Sequence, residues 1–374
     1  MTRIKFTDDF KEQPAIIRVI GLGGAGGNAV NRMIEANVSQ LEFFAANTDA
    51  QALKRSLAPV RIQMGEKLTK GLGVGGNPGL GRQAAEESAD RLREILVGAD
   101  MVFITAGMGG GTGTGSAPFV AQVAKSLKPA PLIVATVTRP FSFEGLIRAN
   151  QANAGIEELR TFVDTLLIIP NDRLFSIINE KTPTLEAYRV ADDVLRQSIQ
   201  AISDIITSHG LVNVDFADVK TIMSGAGEAL MGVGIGLGPD RAMAAARQAV
   251  ESPLLENVSV EGAKGVLVNI TGNKNVTMFE VREVMDYISS ATSPQSHVFY
   301  GQVFDEALDD KLKVTVIATG FPAKRAKSLP ESADAGKKTP ALAGVPDGPG
   351  GIPGYSEEDL KRPAYLRLRS RQLK

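Results

Sequence analysis

Residues 109–115 read Gly-Gly-Gly-Thr-Gly-Thr-Gly, between an apolar run at 101–105 and an apolar stretch at 117–123. That order is strand, glycine-rich loop, helix. Glycines leave backbone N–H groups free to close on an anion, and the start of the following helix adds partial positive charge. Thr112 and Thr114 place two hydroxyls in the same turn. A flexible linker is not normally wedged between a buried strand and a helix. A second such loop, GLGGAGGN at 21–28, follows the apolar run at 16–20. It carries the GxGxxG spacing at Gly21, Gly23 and Gly26, with Glu42 and Asp49 near the position of a ribose-binding acid. Alone it would point to an NAD-dependent dehydrogenase. A dehydrogenase has no need of a second phosphate loop, and the chain has no GxxxxGK[ST] of a P-loop ATPase. Two phosphate-facing loops suit a compact, multiply charged triphosphate. A third glycine run, GLGVGGN at 71–77, reads as a further phosphate-facing loop or as a plain surface turn.

Three further groups of residues could do chemistry. Glu144 and Arg148 are four apart and share a helix face, as a solvent-exposed ion pair or as part of a ligand site. Asp192 lies one helical turn beyond Tyr188, so the ring can stack on a base whose edge the carboxylate reads. Guanine presents N1–H and N2–H₂ on one edge, and a carboxylate accepts both. Adenine has the opposite polarity and would leave a buried carboxylate unpaired. Read without a ligand, Asp192 beside Asp193 is equally a solvated helix surface. The third group is Asn213, Asp215 and Asp218. Asp215 fits a helix N-cap and Asp218 a first-turn acid.

These residues need elements to hold them. Apolar runs at 16–20, 41–46, 101–105, 132–137 and 166–169 alternate with helical patterns. Fully apolar strands separated by helices predict a parallel sheet covered on both faces, with ligands at the strand carboxyl ends. A long helix is predicted over 184–207, where Tyr188, Ala191, Leu195, Ile199, Ile202 and Ile206 recur at three- and four-residue spacing. Beyond it come a helix at 217–223, an apolar run at 229–237 and a helix at 240–251. A strand at 265–270, a helix at 279–290 and strands at 298–304 and 314–318 complete a smaller mixed α+β unit. About two dozen helical residues separate the Asp192 end of the long helix from Asp215 by roughly 35 Å. One subunit cannot bring both to a single ligand, whereas a second subunit stacked head to tail can. Such a contact joins two different surfaces and builds an open filament unless it closes.

Composition narrows the rest. The chain has 374 residues and a formal net charge of −1, so bulk electrostatics favour no nucleic acid partner. It has no cysteine, which rules out disulfides and thiol catalysis, and only two histidines, far apart. There is no apolar signal core and no run of membrane-spanning length, so a soluble cytoplasmic protein with no direct membrane insertion is expected. The expected divisions are a flexible arm at 1–13, a nucleotide domain at 14–208, a second domain at 209–322, a Pro/Gly/Ala-rich disordered linker at 323–355 and a recognition tail at 356–374.

The stretch GMGGGTGTGSAP at 107–118 resembles the tubulin/FtsZ superfamily, its bacterial FtsZ branch more than eukaryotic tubulin. The likeness covers nearly all of 14–322 and returns in the last twenty residues. It implies an α/β fold with a parallel-sheet GTPase domain, a long central helix and a smaller α+β domain with a mixed sheet. It implies GTP and GDP as ligands with Mg²⁺. Phosphate contacts are implied for Gly23, Gly24, Ala25, Gly26 and Asn28, and for Gly109, Gly110, Gly111, Thr112, Gly113, Thr114 and Gly115. The 71–77 loop resembles the family's γ-phosphate-sensing loop. Sugar and phosphate-edge contacts are implied for Glu144 and Arg148, and base contacts for Asn171, Tyr188 (usually Phe in the family) and Asp192. By the same likeness Asn213, Asp215 and Asp218 act on the neighbouring subunit's GTP, the two carboxylates polarising the attacking water. No protein ligand for Mg²⁺ is implied; Asp49 is the weak candidate. Residues 360–367, LKRPAYLR, resemble the family's adaptor-binding peptide, departing from it at Lys361, Arg362 and Tyr365. The expected function is a GTP-hydrolysing protein that polymerises into filaments of the bacterial division ring at mid-cell. Membrane-tethering and regulatory division proteins would bind the tail. The alternatives are a tubulin-like filament that does not divide cells, an NAD-binding oxidoreductase and a non-hydrolysing GTP-bound scaffold.

Overall fold

The computed structural model describes residues 14–179, 181–207, 212, 214–255 and 260–321. The arm at 1–13, Asn213, the linker and the tail lie outside the described residues.

The first half alternates strand and helix. β1 (Ile17–Leu22) leads into α1 (Gly23–Glu35), then β2 (Glu42–Asn47), α2 (Ala50–Lys54) and β3 (Val60–Gln63). Three helices follow: α3 (Glu66–Thr69), α4 (Pro78–Glu87) and α5 (Ala89–Glu94). β4 (Met101–Gly107), α6 (Thr112–Lys125), β5 (Leu132–Arg139), α7 (Leu146–Arg160) and β6 (Thr165–Pro170) complete it. These six strands pair in parallel in the order β3-β2-β1-β4-β5-β6. Side chains alternate between two cores. Val19, Phe103, Val134 and Leu167 pack under α1 on one face, and Ile20, Ile104, Ala135 and Ile168 pack under α6 on the other. Burial on both faces is why these strands read as unbroken apolar runs.

α8 (Thr184–Thr207) is a single 24-residue helix that packs its apolar stripe, Leu195, Ile199 and Ile202, into the α1 side of the sheet. Its bounds match the predicted 184–207. The second half comprises α9 (Phe216–Met223), β7 (Gly227–Gly236), α10 (Arg241–Val250), β8 (Gly265–Gly272), α11 (Met278–Ala291), β9 (His297–Phe304) and β10 (Leu312–Thr319). β10 runs antiparallel to both β7 and β8.

Two features differ from expectation. The sheets of the two halves are one: Thr165–Leu167 of β6 pair with Gly227–Ala229 of β7, giving ten strands in the order β3-β2-β1-β4-β5-β6-β7-β10-β8-β9. β3 was not expected, because Val-Arg-Ile-Gln on the sheet edge carries only one buried side chain, Ile62.

Candidate functional site

The glycine loops are shorter than the sequence suggested, because helices begin inside them. α1 starts at Gly23 and α6 at Thr112. Both helix N-termini therefore point their free N–H groups at the same place, beyond the carboxyl ends of β1 and β4. Gly23 has φ +70°, and a Cβ there would lie 3.1 Å from Gly113 N, so the two glycine turns are in backbone contact. At Gly111 a Cβ would meet Val74 Cγ2 at 2.5 Å and Asn77 N at 2.8 Å, which seats the 71–77 loop directly on the 109–115 turn. Asn77 caps α4 by accepting from Leu80 N at 3.3 Å. Thr114 Oγ1 accepts from Gly109 N at 2.8 Å and holds the turn closed, and the Thr48 and Thr112 hydroxyls bond at 2.7 Å.

An open cavity of about 310 Å³ lies at this point. Its phosphate-side wall is Gly24, Ala25 and Gly109–Gly113, and its far wall is Glu144, Arg148, Asn171, Tyr188 and Asp192. Twelve of the twenty sequence-nominated residues thus line one cavity, although they come from five separate stretches of chain. Gly23 and Asn28 line an adjoining cavity of about 220 Å³ with Asn31, Asn47 and Arg55, and Gly24 borders both. Gly26, Thr114 and Gly115 line neither. Gly26 lets α1 close onto the sheet, where a Cβ would sit against the carbonyl of Thr105. Gly115 lets α6 close onto α4, where a Cβ would lie 2.6 Å from Arg82 N. Leu22, Gly107, Met108, Thr138, Pro140 and Ala191 also line the cavity, and small, apolar or lone hydroxyl residues at strand ends, turns and a helix carry no distinctive signal in the sequence.

The far wall is built for hydrogen-bond donors. Asn171 Oδ1 is buried with no hydrogen-bond partner. The neighbouring carboxylates of α8 have opposite environments. Asp193 accepts from Arg196 Nε and Gln197 Nε2, both at 2.6 Å, and against the cost of burial these bonds hold its pKa below the ordinary carboxylate value. Burial pushes Asp192 up to about 7; Arg32 on α1 offsets this in part, and Asp193 adds to it. Asp192 is therefore a desolvated acceptor without a donor, facing the cavity. The solvated-surface reading does not fit Asp192, whereas the Asp193 side chain is 38% exposed and pairs with Arg196 along the helix surface. Glu144 and Arg148 form the predicted ion pair at the cavity edge, and Glu144 Oε1 also accepts from Phe141 N at 3.0 Å.

Asp215 and Asp218 lie elsewhere. Asp215 is the N-cap residue of α9, exposed, with its carboxylate making no capping bond, and Asp218 sits in the first turn. α9 ends at the amino end of β6, where Thr165 Oγ1 donates to Met223 O at 2.6 Å. Asn171 follows the carboxyl end of the same strand. The carboxyl end of α9 thus lies at the opposite end of β6 from Asn171, and Asp215 and Asp218, at the start of α9, line neither cavity. Asp49 is committed to capping α2, accepting from Gln51 N at 2.8 Å, and does not line the large cavity. Among the described residues no cluster of three His, Cys, Asp or Glu could hold a metal ion, and no helix is long and apolar enough to cross a membrane.

Residues 16–179 match the Tubulin/FtsZ family GTPase domain, and residues 227–322 match the FtsZ family C-terminal domain. Among solved structures, an empty FtsZ dimer from M. jannaschii is 43% identical over 83% of this chain and 89% of its own, with TM-score 0.79. A point variant of FtsZ from the same organism is 44% identical over 82% and 92%, also with TM-score 0.79. This chain belongs to the tubulin/FtsZ family. CetZ2 from Haloferax volcanii, solved as a GTPγS-bound protofilament, shares the fold at 20% identity with TM-score 0.68 over 82% of this chain and 94% of its own. The expected α/β fold of the tubulin/FtsZ type and the GTPase assignment both stand, and the dehydrogenase alternative falls with them. In this tubulin/FtsZ GTPase the GxGxxG turn at 21–26 serves one half of a shared cavity rather than a dinucleotide.

Proposed function

We propose that the 310 Å³ cavity binds GTP and GDP, and that its GTP is hydrolysed with residues from a second molecule of the same chain stacked head to tail. The observation that carries the base assignment is the pair of donor-less acceptors, Asn171 Oδ1 and the Asp192 carboxylate, on one wall. Guanine offers N1–H and N2–H₂ to such a pair, whereas adenine offers N1 as an acceptor and leaves Asp192 buried and unpaired. Tyr188 stacks on the purine, and Glu144 with Arg148 meets the sugar and phosphate edge. The α1 and α6 N-termini and the backbone of 109–113 take the phosphates, with Gly23 and Asn28 contributing from the adjoining side. Thr114, Gly26 and Gly115 act by shaping these turns. Mg²⁺ neutralises phosphate charge when bound; with no acidic cluster beside the cavity among the described residues, phosphate oxygens and water are its fitting ligands.

Asp215 and Asp218 reach no nucleotide of their own subunit, because the intact α8 stands between. On a neighbour they would polarise the attacking water, which Asn213 would help to orient, an effect worth about 10²–10⁴ in rate. Filaments follow from that heterologous contact. The division into domains at 14–208 and 209–322, the tail at 356–374 as the attachment for membrane-tethering and regulatory division proteins, and service in the bacterial division ring at mid-cell belong to this reading. A non-hydrolysing scaffold would have no use for exposed, uncapped Asp215. The test is complementation. Asp215→Ala keeps a sound cavity and Asp192→Asn keeps a sound acidic turn, so mixing two weakly active variants should restore phosphate release. No recovery at any ratio would contradict the shared site.

A further inference from the structure

The chain has 15 phenylalanines, 5 tyrosines and no tryptophan, and four of these rings meet beside the cavity. Phe141 is the hub. It is 3% exposed, with ring centroids at 5.0 Å from Phe143, 5.3 Å from Phe175 and 5.6 Å from Tyr188. Phe143 stacks on it at an interplanar angle of 17°, and Tyr188 meets it edge to face at 88°. Both geometries are favourable for aromatic pairs.

The backbone around the hub is fastened in the same sense. Phe141 N donates to Glu144 Oε1 at 3.0 Å, and Ser142 N donates to Asp172 Oδ1 at 2.9 Å. The second bond ties the short 3-10 turn Ser142–Glu144 to the 3-10 turn Asn171–Ser176. One turn carries Glu144, the other carries Asn171 and Phe175, and all three ring partners of Phe141 depend on where it sits. Tyr188 faces the cavity, while Phe143 and Phe175 are 67% and 55% exposed. The rings therefore form a continuous path from the cavity to the outer rim.

We propose that Phe141 is a positioning residue: it fixes the plane of Tyr188 for the purine and passes purine occupancy to the exposed rings Phe143 and Phe175. This rests on the reading that Tyr188 stacks on the base. A purine pressed against Tyr188 restricts that ring. The edge-to-face contact then restricts Phe141, and through it the two rim rings. Rings in direct contact pass such a restriction from one to the next, and Phe141, the buried member, has little free volume in which to absorb it.

The absence of tryptophan makes the test direct. Phe143→Trp in the full chain introduces a unique fluorophore at an exposed position that still stacks on Phe141. Below the assembly threshold, GDP should cut acrylamide quenching of that indole by about half. In the same background Phe141→Leu should abolish the response and weaken GDP binding about tenfold, while kcat at saturating GTP stays within about twofold. Phe175→Leu, at a 55% exposed site, should leave Tm nearly unchanged and reduce the response without abolishing it. Tyr188→Leu separates the two ideas. If it leaves GDP affinity unchanged, base stacking itself is wrong. If it weakens binding while Phe141→Leu does not, or if the indole still responds in Phe141→Leu, stacking stands and the positioning role of Phe141 is overturned. An unaltered response in Phe175→Leu would overturn the path to the rim.

Discussion

The two ends of α8 differ in what they lack. Near its start, Asp192 is desolvated, has its pKa raised to about 7, and faces a cavity in whose wall Asn171 Oδ1 also has no donor. Beyond its end, Asp215 is exposed, and its carboxylate makes no bond to the helix it precedes. One end is an acceptor waiting for a ligand, the other an anion with no local structural task. An intact 24-residue helix, about 36 Å long at 1.5 Å per residue, keeps them apart. The proposed head-to-tail contact would bring one molecule's Asp215 to another's Asp192 cavity.

The largest expected effect comes from the far end. Asp215→Ala should lower the rate of phosphate release by about 10²–10⁴ while nucleotide affinity, measured on the monomer, is unchanged. Loss of affinity in that variant would place Asp215 in the binding site of its own subunit and dissolve the contrast.

The near end should respond in the opposite way. Asp192→Asn, keeping shape and losing charge, should weaken GDP and GTP by about 10- to 100-fold, the range of a charge-assisted hydrogen bond. The pH dependence sharpens this. Guanine needs the ionised carboxylate, and in the free protein burial holds the Asp192 pKa at about 7. Affinity should thus be flat above pH 8 and fall about tenfold per unit well below pH 7. Asp192→Asn should flatten the curve. The stability sign is the reverse of a salt-bridged acid. A folded pKa above the unfolded one contributes stability that is complete below the model-peptide value near 4, lost as pH rises through about 7, and restored when nucleotide pairs the charge. Nucleotide should raise Tm more at pH 8 than at pH 6, measured against Asp192→Asn to remove the contribution of Asp204, which burial raises to about 6.

The smallest effect separates shaping glycines from contacting ones. Gly115→Ala would press a methyl group into the α4 backbone and should cost about 1–3 kcal/mol of stability with little change in phosphate affinity per folded molecule. A large affinity loss without a drop in Tm would return Gly115 to the contact set.

Much of this was legible in the chain because the relevant signals are local. Apolar strands buried on both faces, the three- and four-residue spacing of Leu195, Ile199 and Ile202, and the two glycine turns all announce themselves within a few residues. The convergence of Glu144, Asn171, Tyr188 and Asp192 was supplied by resemblance, since no local pattern joins two distant turns and a helix. What escaped is nonlocal. β3 is an edge strand with a weak pattern, and the fusion of both halves into one sheet depends on three residue pairs between β6 and β7. Gly26 and Gly115 look identical in sequence to the neighbouring glycines that line the cavities, and only their place in the fold, outside both cavities, distinguishes them. The Phe141 hub joins rings from three stretches of chain, and the different fates of Asp192 and Asp193 depend on Arg196, Gln197 and burial rather than on their own identity.

The most direct test of a site completed between molecules is GTP turnover as a function of protein concentration, with Mg²⁺, recorded together with light scattering. Specific activity should be near zero at low concentration and rise above a threshold at which scattering appears. Activity per molecule that is constant across the same range, with no scattering, would mean that each chain carries a self-sufficient site and would contradict the two-molecule mechanism.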